Sequence, residues 1–149
     1  MSFGLTSLAI APAATRRYEL TSIPTEPDKP WTLILRHAGE SNAPFWNAQL
    51  RLANETTAKS GSSAARLTTA KIALARGEWA ELAAQHVIVG WENVREDGEL
   101  VACTPEAVVR FLTELIAHAP DLFDALRRFA ADAENFRGPI ADPASLGKA

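Results

Sequence analysis

Few side chains in this sequence can do chemistry, and their spacing decides most of what that chemistry could be. His37, His86 and His118 lie far apart, and no two of them share the H-x-x-x-H spacing by which one helix face offers two imidazoles to a metal. The single Cys103 excludes an internal disulfide and a cysteine-based zinc site. Next to Thr104 at a helix start, Cys103 stands where a thiol pKa can fall. It has no histidine partner in sequence, and it reads as a small buried residue. Asn93–Thr104 puts Gly98 at the sixth position of a calcium-loop frame. Arg95 would then fill the third ligand position and Thr104 the twelfth, where a bidentate glutamate is needed, so a hairpin turn explains the glycine better. Ser60-Gly61-Ser62 has no apolar strand before it and is not a nucleophile elbow, and the chain has no glycine loop that would cradle a phosphate. The expectation is a protein with no metal and no cofactor.

One motif is sharper. Leu35-Arg36-His37-Ala38-Gly39-Glu40-Ser41-Asn42 resembles the R-H-G-E signature of histidine phosphatases, and like that signature it follows an apolar strand. The resemblance implies His37 as phosphoryl acceptor, with Arg36 binding the phosphate through a planar fork of donors. Ala38 is inserted between the histidine and the glycine, which shifts the loop by one residue. The family also needs a late histidine on its own glycine-led turn, and His86 and His118 lie inside helical patterns instead. The alternative has Arg36 and His37 closing an edge strand while Gly39 supplies the turn. That alternative is preferred, because an isolated motif match has a high false-positive rate. The chain is therefore expected not to be an enzyme.

The elements that must position these residues begin with a β-hairpin over 16–38. Arg16–Ile23 alternates loosely, Trp31–Ala38 is rich in β-formers, and the Pro-rich loop from Pro24 to Pro30 between them excludes a helix. Ser41-Asn42-Ala43-Pro44 opens a helix on which Phe45 and Leu52 share a face and Trp46 and Leu50 an adjacent one. Ser60–Ser63 is a short flexible break. From Ala64 to about Val89 the pattern is helical again, and Gly77 can split it into helices over 64–76 and 78–89. The β-branched Val87-Ile88-Val89 can instead begin a strand pairing with Leu100–Cys103.

Residues 86–136 organise the rest. Arg95-Glu96-Asp97-Gly98-Glu99 signals a turn. Thr104-Pro105-Glu106 follows as a helix start: Thr caps, Pro is tolerated in the first turn, and Glu faces the positive end of the dipole. Val108, Phe111, Leu112, Leu115 and Ile116 form one apolar stripe. Ala119-Pro120-Asp121 stops that helix and starts another, with Leu122, Leu126, Phe129, Ala130, Ala133 and Phe136 as its stripe. The two helices over 104–137 are expected to form a helical hairpin.

This stretch also resembles phage tail assembly chaperones. The resemblance is carried by Val87, Val89, Trp91, Asn93 and Val94, then Asp97 and Gly98, then Thr104, Pro105 and Glu106, and finally Pro120, Phe123, Asn135 and Phe136. It covers about a third of the chain and departs at Ala102-Cys103, where that pattern leads to Pro-Phe. It implies a small non-catalytic protein of the host cytoplasm that binds the tape-measure protein while tail-tube subunits gather, and it leaves an oligomer open. Trp91, Asn93, Asp97, Gly98, Thr104, Pro105, Phe111, Phe123 and Phe136 are then structural motif residues. An unrelated phage adaptor or structural protein is a further alternative.

Composition bounds these readings. A chain of 149 residues with 47% hydrophobic and 22% charged residues is most simply one domain with a real core. Its net charge of −3 argues against a nucleic-acid partner. In residues 1–15 the apolar run precedes Arg16 and Arg17, the wrong order for a signal peptide, so a loose arm is expected. No stretch has the apolar length of a membrane span. Residues 138–149 read as a disordered tail after a single globular domain over 16–137. Of the four tryptophans, Trp79 and Trp91 fall on apolar stripes and are expected in the core. Trp31 and Trp46, with Phe45 beside the latter, are the candidates for contact with a partner. The expected fold is α+β, mainly α: an N-terminal β-hairpin followed by four to five helices, the last two paired.

Overall fold

The computed structural model describes residues 3–24, 29–60 and 68–138. Its architecture is mixed α+β and mainly helical, with antiparallel strands first and four α-helices around them. Strands β1 (Thr15–Glu19) and β2 (Thr32–Arg36) pair antiparallel, with Arg17 opposite Ile34. The β-rich runs flanking the Pro-rich loop thus form the expected hairpin. Residues 25–28 of that loop lie outside the described residues.

A third strand was not expected in this sheet. β3 (Ile88–Glu92) pairs with β2 rather than with Leu100–Cys103, giving the order β1-β2-β3. Both neighbours flank β2, and its Leu33 and Leu35 are fully buried. The register shifts between Ile34 and Leu35, which face Gly90 and Ile88, so Val89 is the extra residue of a bulge and half exposed. Arg17 on β1 and Glu92 on β3 form an ion pair across the sheet.

Helix α1 (Ala43–Ser60) starts at a buried Asn42, whose Nδ2 donates to the His86 carbonyl at 2.7 Å. One amide thereby ties the start of α1 to the end of α2 (Thr69–His86). Helix α2 runs unbroken through Gly77, so the expected split into two helices does not occur. A helix-interior glycine costs only about 1 kcal/mol relative to alanine, which packing of Trp79, Ala80, Ala83 and Ala84 outweighs. The helix ends at His86, not near Val89, because Ile88 onward joins the sheet. Residues 61–67, including most of the Ser-Gly break, lie outside the described residues.

The short strands β4 (Arg95–Glu96) and β5 (Glu99–Leu100) form a separate hairpin. Asp97 and Gly98 at its tip have φ of 53° and 83°, the left-handed pair a tight two-residue turn demands. Helix α3 (Pro105–His118) is capped by Thr104, whose hydroxyl accepts from the Ala107 N–H at 3.2 Å. Helix α4 (Pro120–Ala131) follows after Ala119 and packs on α3, the expected helical pair. It ends at Ala131 rather than 137. Asp132 turns extended and caps a 3-10 turn over Ala133–Phe136, which brings Phe136 into the core.

The core joins Leu33, Leu35, Trp79, Val87, Val108, Leu112, Phe123, Leu126 and Phe136 between the sheet and α2–α4. Tail residues 139–149 lie outside the described residues. Among the described residues no helix is long and apolar enough to cross a membrane.

A candidate partner-binding groove

Trp31 immediately precedes β2, Trp91 sits on β3 beside it, and Phe111 projects from α3 toward both. Its ring centroid is 6.1 Å from that of Trp31 and 6.0 Å from that of Trp91, the latter edge-on. These rings stand in a groove of about 480 Å³ whose other apolar walls include Ile23, Val94, Val101 and Leu115. Two backbone devices shape it. Trp91 Nε1 donates to the Val101 carbonyl at 2.7 Å, fixing the ring against the segment after β5. Asn93 adopts φ of 64° and its Nδ2 donates to the Pro30 carbonyl at 3.1 Å, which holds the residue before Trp31 in place. Asparagine tolerates that left-handed backbone better than most residues.

The rim is charged. Arg110 grips Glu96 with two hydrogen bonds of 3.0 Å, tying the β4–β5 hairpin to α3. That fork holds the Glu96 carboxyl below its ordinary range. Asp97, Glu114 and His118 complete the polar edge.

The structure divides the residues singled out from the sequence. Trp31, Trp91, Phe111 and Asp97 meet in the groove, while Asn93, Gly98, Thr104 and Pro105 shape its frame. Phe123 and Phe136 are fully buried. Phe45 is 1% exposed, so it is core and not a partner contact. Trp46 is half-buried on α1 and does not line the groove. Trp79 is core, edge-on to Phe123 at 5.6 Å, whereas Trp91 is partly buried, packing against the core and lining the groove as well. Sequence reasoning missed Ile23, Val101 and the Glu96–Arg110 clamp, because nothing in the spacing of these residues says that they meet.

His37 lies elsewhere, at the junction of β2, α1 and α4. Its Nδ1 is 2.7 Å from Ser41 Oγ and its Nε2 is 3.2 Å from the Ala131 carbonyl oxygen. A carbonyl only accepts, so Nε2 donates to Ala131, while Nδ1 shares a hydrogen bond with the Ser41 hydroxyl. The ring also packs on Phe136 at 5.2 Å and covers Gly39 so closely that a Cβ there would lie 2.4 Å from Cε1. Arg36 turns away and donates to the Pro12 carbonyl at 2.9 Å. Burial pushes the Cys103 thiol pKa up, the opposite of what a reactive cysteine needs. Among the described residues no group of three His, Cys, Asp or Glu side chains could hold a metal ion.

The family model described as YdaY prophage protein matches residues 41–142, more than half of the chain. This chain belongs to the YdaY prophage protein family. The YdaY match takes in all four α-helices, β3 and the β4–β5 hairpin, so Trp91 and Phe111 fall inside it. Trp31 and the strands β1 and β2 precede it. No curated protein and no solved structure matches the chain.

Proposed function

We propose that this YdaY-family protein is a non-enzymatic phage tail assembly chaperone that binds the tape-measure protein and assists tail-tube assembly. The observation that carries the reading is the groove in which Trp31, Trp91 and Phe111 converge. Partly buried aromatic rings lining a concave apolar site are the residues expected to anchor a partner, and a charged rim limits indiscriminate aggregation. An apolar stripe on a partner helix would enter such a groove through side chains three and four residues apart. The resemblance of residues 86–136 to tail assembly chaperones and the prophage family of residues 41–142 overlap on the segment that builds most of these walls. The non-enzymatic part rests on His37, both of whose ring nitrogens are engaged by the fold.

The test is co-expression with the tape-measure protein of the same prophage. A raised soluble yield and a recoverable complex are expected, and both should be lost in Phe111→Ala and Trp31→Ala while the circular dichroism spectrum keeps its helical bands. Trp46→Ala, outside the groove, should retain the complex. An equally insoluble tape-measure protein with and without this chain sinks the chaperone reading. Phosphatase turnover that disappears in His37→Ala would overturn the non-enzymatic one.

A further inference from the structure

A second concave surface lies away from the aromatic groove, between the exposed first half of α2 and α4. Helix α2 is exposed from Thr68 to Ala75. Lys71, Ile72, Ala75 and Arg76 of α2 face Asp124, Arg127 and Arg128 of α4 across a cleft of about 350 Å³. Three arginines meet one carboxylate here, beside Lys71, in a chain whose net charge is −3. The one carboxylate is already used: Arg76 donates to Asp124 through Nε and Nη2 at 3.1 and 2.7 Å. Arg127 lies 5.9 Å from the Trp79 ring centroid, and its half-burial beside Arg76 works against its charge. Arg128 is exposed. Between these cations the floor is aliphatic, and Ile72 remains 39% exposed.

We propose that this cleft docks an acidic amphipathic helical segment of a partner protein. Two helices form the walls, with Ile72, Ala75 and Arg76 at i, i+3 and i+4 on α2 and Asp124, Arg127 and Arg128 at the same spacing on α4. A third helix laid along them would set an aliphatic side chain over Ile72 and Ala75 and its flanking carboxylates toward Arg127 and Arg128. Nucleic acid fits less well: the Arg76 fork is closed on Asp124, the floor is aliphatic, and the whole chain is acidic. The cleft is independent of the chaperone reading, because it shares no residue with the aromatic groove.

The experiment titrates the full chain with a labelled Leu/Glu amphipathic peptide about four helical turns long, followed by anisotropy at low salt. A matched Leu/Lys peptide and a single-stranded DNA oligonucleotide are the comparison probes. The acidic peptide should saturate the protein and weaken as salt rises. Arg128→Glu and Lys71→Glu, both at exposed positions, should each weaken it about tenfold with unchanged circular dichroism. Asp124→Asn should tighten it, since it removes the competing carboxylate and frees the Arg76 fork. Phe111→Ala in the aromatic groove should leave the affinity as it was. Absence of saturable binding, equal binding of the Leu/Lys peptide, or unchanged affinity in both charge-reversal variants overturns the proposal. Tighter binding of the DNA, or a loss confined to Phe111→Ala, overturns it as well.

Discussion

Helices α3 and α4 are the shorter pair, yet each buries a face from its first turn to its last. On α3 that face is Ala107, Val108, Leu112 and Leu115, and on α4 it is Phe123, Leu126 and Ala130. Helices α1 and α2 are longer, and among their described side chains burial is confined to the parts that meet the rest of the fold. Phe45 anchors the first turn of α1, and Trp79 to Ala84 anchor the second half of α2. Away from those anchors, Leu50, Ile72 and Leu74 stay exposed. Length is therefore a poor guide to how much a helix contributes to this core; the share of its turns that face the sheet and the neighbouring helices is a better one.

Truncation of buried leucines is the strongest way to break that contrast. Leu112→Ala and Leu126→Ala, both at 0% exposure, should each cost ~2–5 kcal/mol, the transfer term plus the residual cavity. Leu74→Ala, on the outlying half of α2, should stay within about 0.5 kcal/mol of wild type. Urea denaturation of the three variants measures both halves of the comparison. Equal losses at Leu112 and Leu74 would mean that the first half of α2 is covered by something beyond the described chain.

A smaller and opposite effect is expected at Gly77. It sits inside α2, and an added Cβ would meet nothing within 4 Å. Gly77→Ala should therefore stabilise the protein by about 1 kcal/mol, through a better helix former and a less mobile unfolded chain. A rise in the thermal midpoint checks it; a fall would show that the helix yields at Gly77 in solution, as the sequence alone had led one to expect.

The same contrast explains what was legible. The stripe of α3 was readable because a helix buried on one face along its length writes a 3.6-residue period into the sequence. Thr104, Pro105, Asp97 and Gly98 were readable because caps and tight turns are decided by the residue itself and its immediate neighbours. Gly77 misled, since a propensity penalty of that size yields to packing from Trp79 onward. Val87-Ile88-Val89 was open to either a helix end or a strand start, and only the pairing of β3 with β2, more than fifty residues earlier in the chain, decided the matter. The end of α4 was overestimated because Ala133 and Phe136 keep helical spacing even in a 3-10 turn. The aromatic groove was half legible. Trp31 was a candidate contact and Trp91 and Phe111 were motif residues, but only the sheet order brings the three together. The basic cleft left no sequence signal, since its cations come from helices separated by β3, β4, β5 and α3.

The subtlest way to sharpen the comparison uses His86, where the outlying helix pair joins the sheet. It is the last residue of α2, its carbonyl accepts from Asn42, and its ring lies near enough to Arg36 of β2 to feel that charge. Burial first, and Arg36 second, hold its pKa below the ordinary 6.5. A base with a lowered folded-state pKa is protonated first in the unfolded chain. Its contribution to stability is then complete above 6.5 and is lost as the pH falls from there through the folded-state pKa. His86→Gln keeps the backbone carbonyl for Asn42 and removes the titration. Stability measured from pH 8 down to about pH 5 should fall less steeply in this variant than in wild type, with the difference opening only below 6.5. Parallel curves would place the His86 ring in water. A steeper curve in the variant would reverse the sign, and with it the assignment of Arg36 as a neighbour of that ring.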